Sequence, residues 1–196
     1  MDEPEFSKAE IRARAHEARC RLPEKDRRSQ TIGRRLTELP SFQAARSVLM
    51  YVHVRHEVHT ADCIAQQLAA GRHVVIPYCA GDDLRLFRLR DLAELTIGCF
   101  GILEPPVALR SDSERVIQPQ QLDLLVLPGV AFDRHGGRLG HGRGYFDRLL
   151  PEIRTDALLI GLAFDCQIVD RVPMFDHDVP VDLVVTESAV YSADQG

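Results

Sequence analysis

Short, wholly apolar runs alternate along this chain with longer segments of mixed character. Residues 122–127 are too apolar on both faces for a surface ribbon and predict a buried strand, 47–54 and 157–163 also read as buried strands, and 73–76 and 183–185 as short strands. Between them lie helical patterns. Ser7-Lys8-Ala9-Glu10 has the form of a capping box and predicts a helix to about Cys20. Pro23 is placed to open a second helix, running to about Leu39, with Pro40 closing it. Thr60 is placed to cap a third, which Gly71 ends. A fourth is expected from Tyr145, ending near Pro151. Pro77 is expected to stop the strand at 73–76. Residues 84–89 alternate imperfectly and predict an edge or outlying strand, and 183–185 is expected to be the last strand. Residues 98–106 and 172–178 read as loops, and 111–121 as polar surface. Phe100 and Ile102 are expected in the core, with a ligand wall as the alternative. Alternation of strands with helices predicts an α/β fold: a three-layer, mainly parallel sheet. The 196 residues suit one domain with a full core.

The run 125–150 departs from this regular pattern. A buried strand leads to Pro128-Gly129, and Gly136, Gly137, Gly140, Gly142 and Gly144 follow, interleaved with Arg138 and Arg143. Such a backbone lets amides converge on an anion, with a helix start and two guanidinium groups adding positive charge. Asp147 would repel phosphate unless a cation lies between them, which makes it a candidate Mg²⁺ ligand. A glycine-rich surface loop before an ordinary helix is the alternative. Neither the Walker pattern nor the dinucleotide pattern is present, since Tyr145 stands where the latter needs glycine.

Charge alters the picture locally. The net charge of −5 argues against general affinity for nucleic acid. Residues 8–35 nevertheless carry ten Lys/Arg against four Asp/Glu, an excess that suits either a polyanion or two solvated helices. Lys8 and Arg12 share a face in the first turns of their helix, the end where cations are disfavoured, which points to a compensating anion. An RNA-binding module would want aromatic stacking platforms. Aromatic content is 6% and Trp is absent.

Five scattered cysteines with no Cys-x-x-Cys pair are expected to be reduced, as in the cytoplasm. No run is long and apolar enough for a membrane span, and the charged N-terminus lacks the form of a signal segment. His53, His56 and His59 crowd the loop after the first strand. His56 and His59 are one residue too close for a His-Glu-x-x-His zinc motif, so a metal is not expected there.

Pro128-Gly-Val-Ala-Phe-Asp133 followed by Arg138-Leu-Gly-x-Gly-x-Gly-Tyr-Phe-Asp147 closely resembles the signature of the 5-formyltetrahydrofolate cyclo-ligase family. Further matches fall in order along nearly the whole chain: Lys8-x-x-x-Arg12, Glu57-x-x-Thr60, Phe100-Gly-Ile-Leu-Glu-Pro105 and Asp178-x-Pro-Val-Asp182. The resemblance implies a Rossmann-like fold related to sugar-phosphate isomerases and CoA transferases. It implies ATP-dependent cyclisation of 5-formyltetrahydrofolate to 5,10-methenyltetrahydrofolate, with Mg²⁺. Lys8, Arg12, Arg138, Leu139, Gly140, His141, Gly142, Arg143, Gly144, Tyr145 and Phe146 would hold ATP. Val52, Glu57, His141, Arg143 and Tyr145 would hold the folate, and Asp147 and Asp178 the metal. Arg143 and Tyr145 would serve catalysis. Many relatives carry an acid two positions after Glu57, where this chain has His59. A cytoplasmic monomer acting on neither nucleic acid nor membrane is expected. The rival reading is a sugar-phosphate isomerase or CoA-transferase-like enzyme on the same fold, which would need no ATP.

Overall fold

The computed structural model describes residues 6–175 and 178–193. Its main sheet is built from β1 (Ser47–Met50), β2 (His73–Ala80), β3 (Asp83–Leu89), β6 (Val116–Ile117), β7 (Leu124–Leu127), β10 (Leu158–Leu162), β11 (Leu183–Val185) and β12 (Val190–Ser192). Spatial order is β12-β11-β10-β7-β1-β2-β3-β6. The five inner strands, β11 to β2, are parallel, and the outer strands join antiparallel. Two small hairpins stand apart: β4 (Thr96–Ile97) with β5 (Leu103–Glu104), and β8 (Ala131–Phe132) with β9 (Arg138–Leu139). This is the expected α/β architecture with a mostly parallel central sheet.

Strand periodicity divides the core in two. Val48, Met50, Leu124 and Val126 face one side, with Ile32 and Leu36 of α2 (Lys25–Glu38), Phe42 of α3 (Pro40–Ala44) and Ile64 of α4 (Ala61–Ala69). Leu49, Leu125 and Leu127 face the other, with Leu149 of α5 (Tyr145–Leu149) and Leu150. The second outer layer is thin, because α5 has only five residues. Helix α1 (Lys8–Arg21) packs on neither face. Its Ile11 and Ala15 meet Val130, Ala131 and Leu139 of the β8–β9 hairpin. This is beyond the C-terminal ends of the parallel strands, where open α/β sheets hold ligands.

Several boundaries differ from expectation. The capping box of α1 is present, with both Ser7–Glu10 bonds made. α2 ends at Glu38, before Pro40 as expected, and Pro40 then begins α3, a role suited to a residue with no N–H to satisfy. β1 stops at Met50 rather than residue 54, because Tyr51 and Thr60 start to tie off a loop there: the Thr60 hydroxyl donates to Tyr51 O at 2.7 Å. Thr60 therefore precedes α4 without capping it through its side chain.

β2 runs through Pro77 to Ala80. Its pairing with β1 ends at Val75, so at Pro77 no parallel neighbour requires the missing N–H. β7 begins at Leu124 rather than 122, and β10 covers 158–162 rather than 157–163. Pro151 lies inside a 3-10 turn, Leu150–Glu152, that continues α5. Residues 98–106 hold β5 and 3-10 turns rather than open loop.

The segment 111–121 is not all surface. Arg115 is buried, donating from Nε to Arg88 O at 2.7 Å and pairing with Glu94. Ile102 packs against the core as expected, but Phe100 is exposed. β12 follows β11, so 183–185 is not the last strand. Part of the expected loop 172–178 lies outside the described residues.

Candidate active site

Three segments converge at the C-terminal edge of the sheet. The first is the loop after β1. Arg55 sits in the left-handed region (φ 56°), turning the chain so that Glu57 folds inward. The Glu57 side chain is buried; its Oε2 accepts from Val54 N at 3.0 Å, and its Oε1 lies 3.3 Å from His141 Nε2. Val52 lines the same buried loop. Two of the histidines here contact protein groups. His53 Nδ1 accepts from Thr60 N at 3.2 Å, His59 Nδ1 lies 2.9 Å from Asp26, and the two rings stack at 4.4 Å.

The second segment is the glycine-rich run. Gly136 and Gly137 are committed to the β8–β9 turn, which is organised by buried Asp133. That carboxylate accepts from His135 N (2.9 Å), Gly137 N (2.8 Å) and Val172 N (2.8 Å). The open part of the loop is 140–144. Gly142 (φ 89°) and Gly144 (φ 69°) adopt backbone conformations that L side chains avoid, and Gly144 leads directly into α5. The first amides of α5 have no intrahelical acceptor.

Arg138 lies at the base of this loop with its side chain only 5% exposed. It donates from Nη2 to Asp147 Oδ1 at 2.8 Å, while its Nε finds no partner among the described residues. Burial pushes its pKa down, and Asp147 and Asp178 oppose that shift. Leu139 is buried in β9, and its carbonyl accepts from Val130 N at 2.7 Å. Phe146 packs beside the core, with the Arg138 guanidinium 5.7 Å from its ring.

The third segment is α1. Arg12 donates from Nε to Gly140 O at 2.9 Å, and its guanidinium lies against Gly142. Lys8 Nζ is 2.6 Å from Asp178 Oδ2 and 4.0 Å from the Phe175 ring centre. The same Oδ2 accepts from Phe175 N at 2.8 Å. The structure thus brings Lys8 to Asp178, Arg12 to Gly140, Arg138 to Asp147 and Glu57 to His141.

Most remaining cations of residues 8–35 have other work. Arg28 pairs with Glu187 at 2.6 Å, Arg35 donates to Glu187 O, and Arg21 pairs with Glu17 on the surface.

Arg143 and Tyr145 turn towards the segment between β4 and β5. The Arg143 guanidinium stands 4.1 Å from the Phe100 ring centre, and the Tyr145 and Phe100 rings are 6.4 Å apart. The Tyr145 hydroxyl donates to Gly81 O at 3.2 Å.

Two residues that sequence reasoning passed over extend the α1 face. His16 lies 5.3 Å ring to ring from His141. Arg19 is buried, donating from Nη1 to Gly129 O and from Nη2 to His16 Nδ1 at 3.4 Å, with Nε unpaired among the described residues. Burial lowers the pKa of His16, and Arg19 lowers it further; burial likewise lowers that of Arg19, against the pull of Glu57. Their signal is in the spacing, since positions 8, 12, 16 and 19 fall on one helical stripe. Gln167 completes the floor, donating to Gly129 O and Val130 O at 2.9 Å each.

Comparison with known proteins shows a family and a shared fold. Residues 4–187 match the model of the 5-formyltetrahydrofolate cyclo-ligase family. The 5-formyltetrahydrofolate cyclo-ligase of Escherichia coli is 32% identical over 83% of this chain and 89% of its own length. A protein of Schizosaccharomyces pombe described as probable 5-formyltetrahydrofolate cyclo-ligase is 31% identical, covering 84% and 86%. The solution structure of Aquifex aeolicus 5,10-methenyltetrahydrofolate synthetase superposes with a TM-score of 0.83 at 34% identity, over 97% of this chain and 95% of that one. A glycine-rich loop held by the Arg12 helix, and a fold and sequence shared along almost the full length, place this chain in the 5-formyltetrahydrofolate cyclo-ligase family.

Proposed function

We propose that this protein converts 5-formyltetrahydrofolate and ATP to 5,10-methenyltetrahydrofolate, ADP and phosphate. One observation carries the reading. The α1 cations close on the glycine-rich loop through Arg12 and Gly140, beside a buried Arg138 whose Nε lacks an acceptor among the described residues. A buried guanidinium with an orphan donor is costly unless a ligand oxygen completes it, and a phosphate oxygen would.

The chemistry asks for little beyond positioning. A formamide oxygen is a poor leaving group, so it first attacks the γ-phosphorus and ADP departs. N10 of the folate then attacks the activated carbon, and phosphate leaves carrying the former formyl oxygen. Both reacting groups of the second step belong to one molecule, so orientation alone can lower the barrier by up to about 7–11 kcal/mol. In the first step, charge around the transferring phosphoryl group dominates.

Arg12, Arg138, Arg143 and the backbone of 139–146 are assigned to the triphosphate, with Lys8 approaching from α1. Glu57 is assigned to the polar edge of the pterin, where a carboxylate accepts paired hydrogen bonds, with Val52 and His141 beside it. Tyr145 would touch both substrates, and Arg143 would follow the charge that develops in transfer.

Asp147 fits a hard, oxygen-seeking cation. Its side chain is 39% exposed, Oδ1 carries the bond to Arg138, and Oδ2 faces the Gly144 turn. Magnesium there would neutralise charge between the phosphates. Asp178 could join it once Lys8 turns from Oδ2 to a phosphate.

The test is growth of the methenyl absorbance band with purified protein, 5-formyltetrahydrofolate, Mg²⁺ and ATP, omitting each in turn. Full dependence on ATP is expected. Product formation without ATP, or none with all components, would overturn the reading.

A further inference from the structure

Two thiols and a carboxylate outside that scheme share one small space. Cys79 is buried near the end of β2, Cys99 is exposed in the turn between β4 and β5, and Glu104 is buried in β5. The two sulfurs and a Glu104 oxygen all lie within 4.8 Å of one another. Glu104 is held by both oxygens: Oε1 accepts from Cys79 N at 3.1 Å, and Oε2 pairs with Arg110 at 3.2 Å. The chain crosses it closely at Gly98, where a Cβ would stand 2.2 Å from Oε2. Glycine at 98 is what lets the next residue, Cys99, reach the carboxylate and Cys79.

We propose that Cys79, Cys99 and Glu104 bind a thiophilic divalent cation of the zinc or cadmium kind, with an open fourth position. The donor set selects against magnesium, which wants oxygen alone, and suits a four-coordinate ion with sulfur ligands. Binding releases one proton from each thiol to solvent. Two thiolates and Glu104, less the charge of Arg110, then leave a site that a divalent ion neutralises. Only short shifts of exposed Cys99 separate the present spacing from coordination.

The ion would also fix Phe100, next in sequence to Cys99. That ring faces Arg143 and Tyr145. The site therefore couples a metal to the wall on which the two proposed catalytic side chains rest.

The experiment is titration of the full-length, reduced, chelator-stripped protein with cobalt(II) and cadmium(II). Thiolate-to-metal charge-transfer absorption should rise to one equivalent, and zinc should displace cobalt. Cys99→Ser, on an exposed turn, should lose the band while keeping the wild-type circular dichroism; Cys79→Ser should lose it too. Cys20→Ser and Cys166→Ser should retain it. No band in the wild type, or one undiminished in Cys99→Ser, would overturn the proposal. So would free-thiol counts and mapping showing that Cys79 and Cys99 form a disulfide on air exposure while the reduced protein takes up no cadmium. The assay contains neither ATP nor folate, so its result is independent of the reaction proposed above.

Discussion

Arg138 and Asp147 form an ion pair at 2.8 Å, from opposite ends of the glycine-rich loop. The cation is almost wholly buried and the carboxylate is partly open to solvent. The pair closes the loop like a clasp, and it sets a candidate metal ligand against a candidate phosphate ligand. Asp147 has two jobs on this reading, and substitutions can separate them. Asp147→Asn keeps an oxygen for Arg138 and loses the charge a cation needs. Turnover should fall on the order of 10²-fold or more, with little change in Tm. Asp147→Ala should lose turnover equally and also cost about 1–3 kcal/mol of stability, because a buried guanidinium loses its partner. Activity in Asp147→Asn near wild type, at limiting Mg²⁺, would remove Asp147 from metal binding.

Among the described residues Arg143 faces the Phe100 ring and pairs with no carboxylate, whereas Arg138 pairs with Asp147. An unneutralised guanidinium is the better donor to charge that appears only during transfer. Arg143→Ala should lower kcat by on the order of 10²-fold, with a smaller effect on folate KM. Steady-state kinetics with each substrate varied would check this, and a change confined to folate KM would reassign the residue to binding.

How far the sequence could foretell this structure depended on whether one stretch or two decided each feature. The Ser7–Glu10 box, the apolar strands and the short helix at Tyr145 depend on neighbours a few positions away, and they form as expected. Pro77 does not stop β2, because the side of the strand it would spoil has no partner by then; that follows from where β1 ends. Arg115 sits in a polar stretch, yet the carbonyl of Arg88 and the carboxylate of Glu94 draw it inward from another part of the chain. In the site, the glycine-rich run was legible as a loop leading into a helix. The division of labour within it was not, since Gly136 and Gly137 serve Asp133 rather than the open loop. Arg19 was missed for a similar reason: its spacing from Lys8 is visible, but the Gly129 carbonyl it meets is 110 residues away.

Lys8 bonds Asp178 here at 2.6 Å, across 170 residues. If nucleotide draws Lys8 to a phosphate, this contact is the resting state of a side chain that changes partner. Lys8→Ala should then raise KM for ATP by about tenfold, the worth of one exposed charge-assisted bond, and leave folate KM unchanged. Lys8→Arg should recover much of the loss. Equal effects on both substrates would instead indicate that the contact only fastens α1.

Glu57 accepts from its own loop through Oε2 and turns Oε1 toward His141. A pterin edge would compete with His141 for that oxygen. Glu57→Gln should raise folate KM by about 10- to 100-fold, in line with about 1.5–3 kcal/mol for hydrogen bonds to a charged group, with ATP KM nearly constant. Folate titration followed by fluorescence would separate binding from turnover, and unchanged affinity would move the pterin elsewhere.

Acid should weaken the fold through two histidines. Burial is the first cause that lowers the pKa of both His16 and His53; the next is Arg19 for His16 and His59 for His53. In the folded chain each Nδ1 accepts a hydrogen bond, from Arg19 and from Thr60 N respectively, which requires it to be unprotonated. The folded pKa thus lies below the unfolded value of about 6.5. Between the two, the unfolded chain binds more protons, so stability falls as pH drops below about 6.5 and levels off only beneath the folded pKa. Thermal unfolding between pH 8 and pH 5 should show Tm falling across this window. His16→Gln, which keeps a polar group beside Arg19 but cannot titrate, should shallow that slope. An identical slope in the variant would assign the acid sensitivity to His53 or to other groups.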